Sequence, residues 1–449
     1  MREFDLILLG AGNSADVYRA ANAAGLKTAV IEKGPLGGTC PNRGCIPSKL
    51  LLAHADRADA IRDSKRFHIE SKLESIDGDA ILKDVREYTN RWDTVLEEAL
   101  GEHITLFRGH GRFVDDHTIE VDGEKITADR IVIGTGARPR RLDLGVPYMT
   151  SDEIFDLETM PESIVFVGGG FISAELAHFF AGVGVPTTIL ARDDRLLGRE
   201  DEETSAVFCK AFGERVDVRY NTSLEKAEHD GHRYTLHLSD GTTLETAALV
   251  VAIGRVPNSD DLGLENTSIR TSAAGYIETD DFLRTSAPGV HALGDVAGKY
   301  FFTHTASLEA AYLGRLLTGA TDAPLDYGPV PHAVFTEPEM AAVGQTEDEL
   351  KAAGTDYVKA TLPFDKVTKG RAIKEEHGLA KLLVARDGTI LGAHLVGANA
   401  SILLHEIVAV MKWRNNVTSL TGMIHVHPSL NEVIGGVAGR AVKALEDGA

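Results

Sequence analysis

The sequence predicts an α/β protein with two parallel-sheet units and a third, α+β unit at the C-terminus. Three observations lead to this fold class. A strand, a glycine turn, a helix and a second strand follow one another in residues 5–32, and the same order returns in residues 163–192. After residue 327 the pattern changes to alternating strands, at 333–335, 380–384 and 390–396, and apolar helices around 401–411. The repeat indicates two similar domains, and the later change indicates a separate one.

The first repeat has the pattern of a Rossmann dinucleotide-binding unit. Gly10 permits the tight turn, Gly12 lets a pyrophosphate approach the backbone, and Ala15 is the small residue that packs helix against strand. Glu32 ends the second strand about 20 residues on, where a carboxylate can accept hydrogen bonds from ribose hydroxyls. We therefore expect a dinucleotide at this end of the unit.

The segment after this unit contains two of the three cysteines, Cys40 and Cys45. A disulfide needs Cα atoms within about 7 Å, whereas five residues of ideal helix rise about 7.5 Å. The pair therefore needs a distorted turn, for which the nearby glycines and prolines provide. A structural disulfide or two buried thiols are the alternatives to a redox pair. A helix is predicted from about Lys49, and its N-terminus would favour a thiolate.

The residues between the two repeats are predicted to be mainly scaffold. Those from about 56 to 115 are charged and have helical spacing. Short strands at 112–114 and 117–121 are separated by two aspartates, which favours a hairpin. The next apolar strand ends in Gly134, Thr135 and Gly136, which let the backbone come close to a bound nucleotide.

The second repeat has its glycine turn at Gly168 and Gly170, followed by Ser173 in the predicted helix. Its second strand ends in Arg192 instead of an acid. A guanidinium can bind a ribose 2′-phosphate that a carboxylate would repel, so NADPH is predicted in preference to NADH. Two aspartates follow Arg192, and the alternative that this arginine is merely solvated stays open.

The chain is then predicted to return to the first unit. Strand-rich sequence in residues 216–253 closes the second unit, and Arg255 lies at its exit. A further apolar strand ends in Gly294 and Asp295, where a carboxylate can accept from a polyol hydroxyl. The predicted boundaries are 1–150 with 270–326 for the first domain, 151–269 for the second and 327–449 for the third.

The C-terminal unit contains a candidate acid/base pair. His427 and Glu432 are five residues apart across a turn, so the carboxylate could hold the imidazole in one tautomer. A histidine before proline is more often structural. The cysteine pair favours catalysis, because dithiol chemistry needs a proton donor and acceptor.

Composition excludes several partners. The formal charge of −21 argues against nucleic acid or an anionic membrane as a partner. No apolar run approaches the roughly 18 residues that span a bilayer. The N-terminus leads straight into a strand instead of a signal peptide. We therefore expect a cytoplasmic protein, in whose reducing compartment disulfides are usually catalytic. Lone Cys209 is expected to be a core residue, and no metal site is predicted.

These motifs resemble those of the flavin-dependent pyridine nucleotide-disulfide oxidoreductases across essentially the entire chain. The most specific elements are the cysteine segment 37–49, the two glycine turns, residues 292–295, and His427 with Glu432. The resemblance implies FAD on the first Rossmann unit, with the adenosine ribose at Glu32 and the ribityl chain at Asp295. It implies NADPH on the second unit.

The resemblance also implies roles for the reactive residues. Cys45 matches the thiol nearest the flavin, and Cys40 matches the thiol that attacks the substrate. Lys49 and Glu175 match an ion pair beside the reactive nitrogen of the flavin. His427 and Glu432 match an acid/base pair supplied by the other subunit, so a homodimer with a shared active site is implied. The cofactor-binding residues expected on these motifs are Gly10, Gly12, Ala15, Glu32, Gly38, Thr39, Lys49, Gly134, Thr135, Gly136, Gly168, Gly170, Ser173, Arg192, Arg255, Gly294 and Asp295.

The implied activity is NADPH-dependent reduction of a small-molecule disulfide that maintains thiol redox balance. The substrate would be a low-molecular-weight disulfide of the mycothione, glutathione or bis-γ-glutamylcystine kind. The alternative is a dihydrolipoamide dehydrogenase that uses NAD⁺, and Arg192 favours the first. Mercuric reductase is disfavoured because no cysteine follows Cys209.

Overall fold

The computed structural model describes residues 1–448 of the chain. The strands are β1 (Arg2–Phe4), β2 (Leu6–Leu9), β3 (Thr28–Glu32), β4 (Ile104–Arg108), β5 (Arg112–Phe113), β6 (Thr118–Val121), β7 (Glu124–Ala128), β8 (Ile131–Ile133), β9 (Ala137–Pro139), β10 (Ile164–Val167), β11 (Thr187–Leu190), β12 (Asp217–Arg219), β13 (Leu224–His229), β14 (Tyr234–Leu238), β15 (Thr243–Thr246), β16 (Ala248–Val251), β17 (Arg255–Pro257), β18 (Val290–Ala292), β19 (Pro331–Val334), β20 (Met340–Gly344), β21 (Tyr357–Pro363), β22 (Leu379–Ala385) and β23 (Ile390–Val396). The helices are α1 (Ala15–Ala23), α2 (Thr39–Arg43), α3 (Cys45–Asp63), α4 (Gly78–Asn90), α5 (Trp92–Glu98), α6 (Phe171–Gly182), α7 (Glu202–Phe212), α8 (Thr303–Leu317), α9 (Glu347–Ala352), α10 (Thr368–Ala372), α11 (Ala400–Trp413), α12 (Thr418–Thr421) and α13 (Glu432–Asp447).

The first parallel sheet has the strand order β18-β8-β2-β3-β4. Its central strands are apolar and buried, as expected for a sheet covered on both faces. Helices α1 and α8 pack against each other beside the sheet, and the sheet β1-β7-β6-β5 contributes to the other core layer. Strand β18 pairs with β8, so the chain does return to this sheet after the second unit.

One prediction in this region was wrong. Residues from about 56 to 115 were expected to be helical, but β4 forms the edge of the first parallel sheet. It pairs with β3 from Thr28 opposite Ile104 to Glu32 opposite Arg108. A short, half-buried run of this kind cannot be told from a helix segment by its periodicity, since only tertiary pairing defines it.

The second parallel sheet has the order β12-β11-β10-β16. Helix α6 is buried along most of its length because it packs between this sheet and α3 of the cysteine segment. The antiparallel strands β13-β14-β15 contribute to a second core beside the sheet. Strands β9 and β17 pair where the chain enters and leaves this unit. The domain boundaries stay a prediction.

The C-terminal sheet is antiparallel, in the order β19-β20-β23-β22-β21. Helices α11 and α13 share its apolar core. The sequence predicted β19, β22, β23 and α11 near their observed bounds but missed β20 and β21. The fold class is confirmed: two parallel-sheet units of the Rossmann type precede an α+β unit. None of the helices within residues 1–448 combines the length with the apolar character that a membrane crossing requires.

Candidate active site

The cysteine segment folds as two helices with a break between them. Helix α2 contains Cys40, and α3 begins at Cys45 itself, earlier than the predicted start near Lys49. Gly44 separates the helices with φ −150° and ψ −113°, and a Cβ atom there would lie 3.0 Å from the carbonyl oxygen of Thr39. The distorted turn that the cysteine spacing requires is therefore made at a glycine, and Cys45 stands at a helix N-terminus.

The pKa values of the two thiols are shifted in opposite directions. Both are free thiols in the structure. A hydrogen bond from Cys40 lowers the pKa of Cys45 to about 6 against the effect of burial, and the Thr303 hydroxyl and the charge of Lys49 act in the same direction. The Thr303 oxygen lies 3.1 Å from the Cys45 sulfur. The same shared proton, together with burial, raises the pKa of Cys40 far above its usual range. The hydrogen bond between the two sulfurs therefore favours a thiolate at Cys45 and a protonated thiol at Cys40.

One cavity of about 700 Å³ joins the cysteines to the first glycine turn. Most of the predicted site residues line this cavity, namely Gly10, Gly12, Glu32, Gly38, Thr39, Cys40, Cys45, Lys49, Gly134, Thr135, Gly136, Glu175, Arg255, Gly294 and Asp295. The structure thus brings together residues from the N-terminal part of the first unit and from the segment that returns to it after the second unit.

Glycines in this wall are needed for close backbone contact. Gly10 has φ +95°, and a Cβ atom there would strike the carbonyl of Gly134. Gly38 has φ +63°, and its Cβ would lie 2.8 Å from the Cα of Gly12. Neither position accepts a side chain without displacement of backbone, so the glycine turn, the cysteine segment and the strand end at Gly134 form one surface.

The acidic residues of the cavity fit a ligand that carries hydroxyl and N–H donors. Glu32 accepts the N–H groups of Ala11 and Gly34, each at 2.8 Å, so its carboxylate is fixed at the cavity wall. Burial raises the pKa of Asp295, and the side chain of Arg255 lies 3.6 Å away. The Oδ1 atom of Asp152 is buried with no hydrogen-bond partner within residues 1–448. An FAD molecule would supply ribose, ribityl and ring donors to such acceptors.

Lys49 and Glu175 form the predicted ion pair, with 2.7 Å between Nζ and Oε2. The other oxygen of Glu175 accepts the backbone N–H of Phe335 at 3.0 Å. The Lys49 ammonium also lies 4.5 Å from the centre of the Phe335 ring. Helix α3, helix α6 and the residue that follows β19 therefore meet at this pair, and Lys49 lines the cavity together with Cys45.

Gly168, Gly170 and Ser173 of the second glycine turn do not line this cavity, although Phe171 and Ile172 between them do. Gly168 has φ +125°, and a Cβ atom there would collide with the carbonyl oxygen of Ala252. Gly170 precedes α6, and the Oγ atom of Ser173 is buried without a partner in the described chain. Arg192 is 82% exposed, and its Nε lies 3.3 Å from the neighbouring Asp193. Ala15, at the start of α1, is likewise away from the cavity lining.

His427 and Glu432 form a pair on the surface of the C-terminal unit. Nδ1 of His427 lies 2.8 Å from Oε1 of Glu432, whose other oxygen accepts the N–H of Ser429 at 3.0 Å. The bond to His427 lowers the pKa of Glu432 below its usual range. The His427 side chain is 70% exposed and does not line the cavity of its own chain. A single chain therefore does not bring this pair to Cys40.

Three residues at the site were not identified from the sequence. Thr303 begins α8 and contacts the Cys45 sulfur, Phe335 follows β19 and contacts both members of the ion pair, and Asp152 presents a buried oxygen. Thr303 and Phe335 are far in sequence from their partners, so no local spacing marks them. Asp152 carried a weak signal as an acid in a connector between two sheets.

Comparison with known proteins gives consistent matches over the whole chain. The family model described as pyridine nucleotide-disulphide oxidoreductase matches residues 4–310, and its dimerisation domain matches residues 330–438. Mycothione reductase of Mycobacterium tuberculosis is 32% identical over 467 residues, which cover 97% of this chain and 98% of that protein. Dihydrolipoyl dehydrogenase of Mycobacterium leprae is 32% identical over 460 residues, with 97% of each chain covered.

Solved structures of similar proteins match equally well. LpdA from Mycobacterium tuberculosis superposes with a TM-score of 0.87 at 26% identity, covering 98% of this chain and 99% of that one. The Cu(II) complex of the HOCl-induced flavoprotein disulfide reductase RclA from Escherichia coli has the same TM-score and identity. It covers 98% of this chain and 100% of that one.

Proposed function

Because the chain belongs to the pyridine nucleotide-disulphide oxidoreductases, which are FAD-dependent enzymes using NAD(P)H, we propose that it reduces a low-molecular-weight disulfide with NADPH. The observation that carries this proposal is the cavity shared by the glycine turn and the two cysteines. One of these cysteines has a strongly lowered pKa. A reducible pair beside a dinucleotide site is the arrangement that disulfide reduction requires.

Gly10, Gly12, Glu32 and Asp295 would hold FAD along the cavity. When bound, FAD would supply the chemistry that links hydride transfer from NADPH to two-electron reduction of the Cys40–Cys45 disulfide. Cys45 then holds its negative charge next to Thr303 and Lys49, so it is the better leaving group. Cys40 attacks one sulfur of the substrate disulfide, which forms a mixed disulfide and releases the first thiolate. Cys45 attacks the Cys40 sulfur, restores the protein disulfide and releases the second. One NADPH and one proton thus convert the disulfide to two thiols.

The proton for the leaving thiolate would come from His427, with Glu432 stabilising the imidazolium. The exposure of this histidine supports its use by another subunit, since it does not line the cysteine cavity of its own chain. The match of residues 330–438 to a dimerisation domain supports a homodimer. In that dimer each active site would combine the cysteines of one protomer with the His427–Glu432 pair of its partner.

Mycothione, glutathione disulfide and bis-γ-glutamylcystine are the proposed substrate class. Dihydrolipoamide oxidation with NAD⁺ is the second candidate, because dihydrolipoyl dehydrogenase and mycothione reductase are equally similar to this chain. The deciding experiment is a turnover panel of these disulfides and lipoamide, each with NADPH and with NADH. We expect turnover of a thiol disulfide with NADPH. Efficient turnover confined to lipoamide with NADH would overturn the proposal.

The preference for NADPH rests on Arg192. Its exposed guanidinium would have to give up only its contact with the neighbouring Asp193 to bind a 2′-phosphate. Arg192→Gln should raise KM for NADPH by about tenfold, as expected for one charge-assisted hydrogen bond, and leave KM for NADH unchanged. The matched variant is Arg199→Gln in the same exposed loop. An equal loss in both variants would assign phosphate recognition to the loop as a whole, against a specific role for Arg192.

A further inference from the structure

A second histidine–carboxylate pair lies beside His427 and has no part in the chemistry described above. Glu406 on α11 holds the Nε2 atom of His425 with one oxygen at 2.7 Å. Its other oxygen accepts the side-chain amide of Asn431 at 3.0 Å. The side chains of Glu406 and His425 are only 17% and 15% exposed. A single carboxylate is therefore bonded to two points of the neighbouring segment.

These two points lie just outside the acid/base pair. His425 stands two residues before His427, and Asn431 stands immediately before Glu432. The segment 422–431 contains no helix or strand, and the structure describes all of it. Its position therefore depends on side-chain contacts instead of a backbone ladder.

The anchor at His425 is also packed against the helix that contains Glu432. A Cβ atom at Gly435, in the first turn of α13, would lie 2.9 Å from the His425 ring. Only a glycine lets the imidazole approach this closely. The ring is thus fixed between the carboxylate on α11 and the backbone of α13.

We propose that Glu406 is a positioning residue for the acid/base pair. By fixing His425 and Asn431, it sets the distance between His427 and Glu432 and the orientation of the His427 ring on the surface. Glu406 itself touches no reacting atom. This inference rests on the proposed role of His427, and it adds a residue on which that role depends.

The test measures the two halves of the reaction separately in the FAD-loaded dimer. Glu406→Gln removes the charge and exchanges one acceptor oxygen for an N–H donor, so both anchors lose their charged acceptor. We expect reoxidation of the reduced enzyme by its disulfide substrate to slow by about tenfold, because small displacements of a proton donor are costly. Flavin reduction by NADPH and KM for NADPH should not change. The control is Glu446→Gln, an exposed position near the end of α13, which should behave as the unmodified enzyme.

A double-mutant cycle separates positioning from a general structural effect. If Glu406 acts through His427, Glu406→Gln should cost nothing further in a His427→Ala background, and both variants should change the pH profile of reoxidation. An equal fold-loss with and without His427 would overturn the inference.

Asn431→Ala keeps the test decisive if Glu406→Gln does not yield a folded dimer. This variant removes only one of the two contacts, and the same cycle with His427→Ala applies. Failure of the unmodified enzyme to reduce any disulfide would instead refute the proposed function. The two failures are therefore distinguishable.

Discussion

At the residue scale, the active site depends on the difference between two cysteines that share one proton. Cys45 is the thiolate because Cys40, Thr303 and Lys49 all favour its charge. Cys40 retains its proton because the hydrogen bond to Cys45 and burial both raise its pKa. In the proposed mechanism Cys45 is thus the better leaving group, and Cys40 attacks the substrate once its proton has moved.

The first prediction is that Cys45 in the reduced protein reacts as a thiolate at unusually low pH. Its alkylation by iodoacetamide, followed at the Cys45 peptide by mass spectrometry, should reach half its maximal rate near pH 6. Thr303→Val should move this midpoint upward, because it removes the hydroxyl 3.1 Å from the sulfur. Thr321→Val, on the segment after α8 and outside the cavity lining, is the control. A midpoint at the ordinary thiol value of about 8.5 would contradict the assignment.

The sequence marks residues whose chemistry shows in local spacing. Cys40, Cys45, Gly10, Gly12 and Glu32 belong to this group, and the structure brings them to one cavity. Thr303 lies 258 positions from Cys45, and Phe335 lies 160 positions from Glu175. Their contribution depends on how distant elements pack, which no pattern within either segment encodes.

At the element scale, the position of the cysteine segment is set by its backbone contact with the first glycine turn. Gly38 and Gly12 are in backbone contact, so the break before α3 and the turn before α1 are fixed relative to each other. Apolar runs predicted the central strands of both parallel sheets. The half-buried edge strand β4 was missed, because its residues resemble a helix face until they pair with β3.

The second prediction concerns this backbone contact. Gly38→Ala should lower both thermal stability and FAD retention, since its Cβ would lie 2.8 Å from the Cα of Gly12. The matched control is Gly145→Ala, where φ is +66° but no atom lies within 4 Å. In that control the free energy of unfolding should fall only by the cost of a left-handed alanine, about 1–2 kcal/mol. Equal losses of stability with full FAD retention in both variants would show that the contact is unimportant.

At the scale of the whole molecule, a buried ion cluster joins the second parallel-sheet unit to the C-terminal sheet. Lys381 on β22 is 1% exposed and lies 2.9 Å from Asp201, the N-cap of α7, and 2.6 Å from Glu347. The order of the three units follows from the sequence pattern. This link does not, because Lys381 and Asp201 are 180 positions apart.

The third prediction is a loss of stability in acid that depends on this cluster. Burial opposes ionisation of Glu347 most strongly, but the hydrogen bonds from Lys381, Tyr357 and Lys359 and the charge of Lys381 together outweigh it and lower the pKa of Glu347 to about 2. A carboxyl whose pKa is lower in the folded state stabilises the fold above its unfolded pKa, which is about 4.3. That stabilisation should be lost as pH falls from about 4.3 towards about 2.

Urea unfolding midpoints across this pH range measure the effect. Lys381→Met should destabilise the neutral protein by about 3–5 kcal/mol, since it leaves carboxylates buried without their partner, and it should reduce the pH dependence. Lys351→Met is the control, because Lys351 also pairs with Glu347 but is 56% exposed. It should cost less than about 1 kcal/mol. Similar losses of stability in the two variants would show that the burial of Lys381 does not strengthen its ion pairs.

The most direct test of the central claim, that Cys40 and Cys45 carry the electron pair, is to count thiols. The chain has three cysteines, so the oxidised protein should show one titratable thiol after denaturation, Cys209. Anaerobic addition of NADPH before denaturation should raise the count to three, and peptide mapping should assign the new thiols to Cys40 and Cys45. A count that stays the same while NADPH is consumed would contradict the claim.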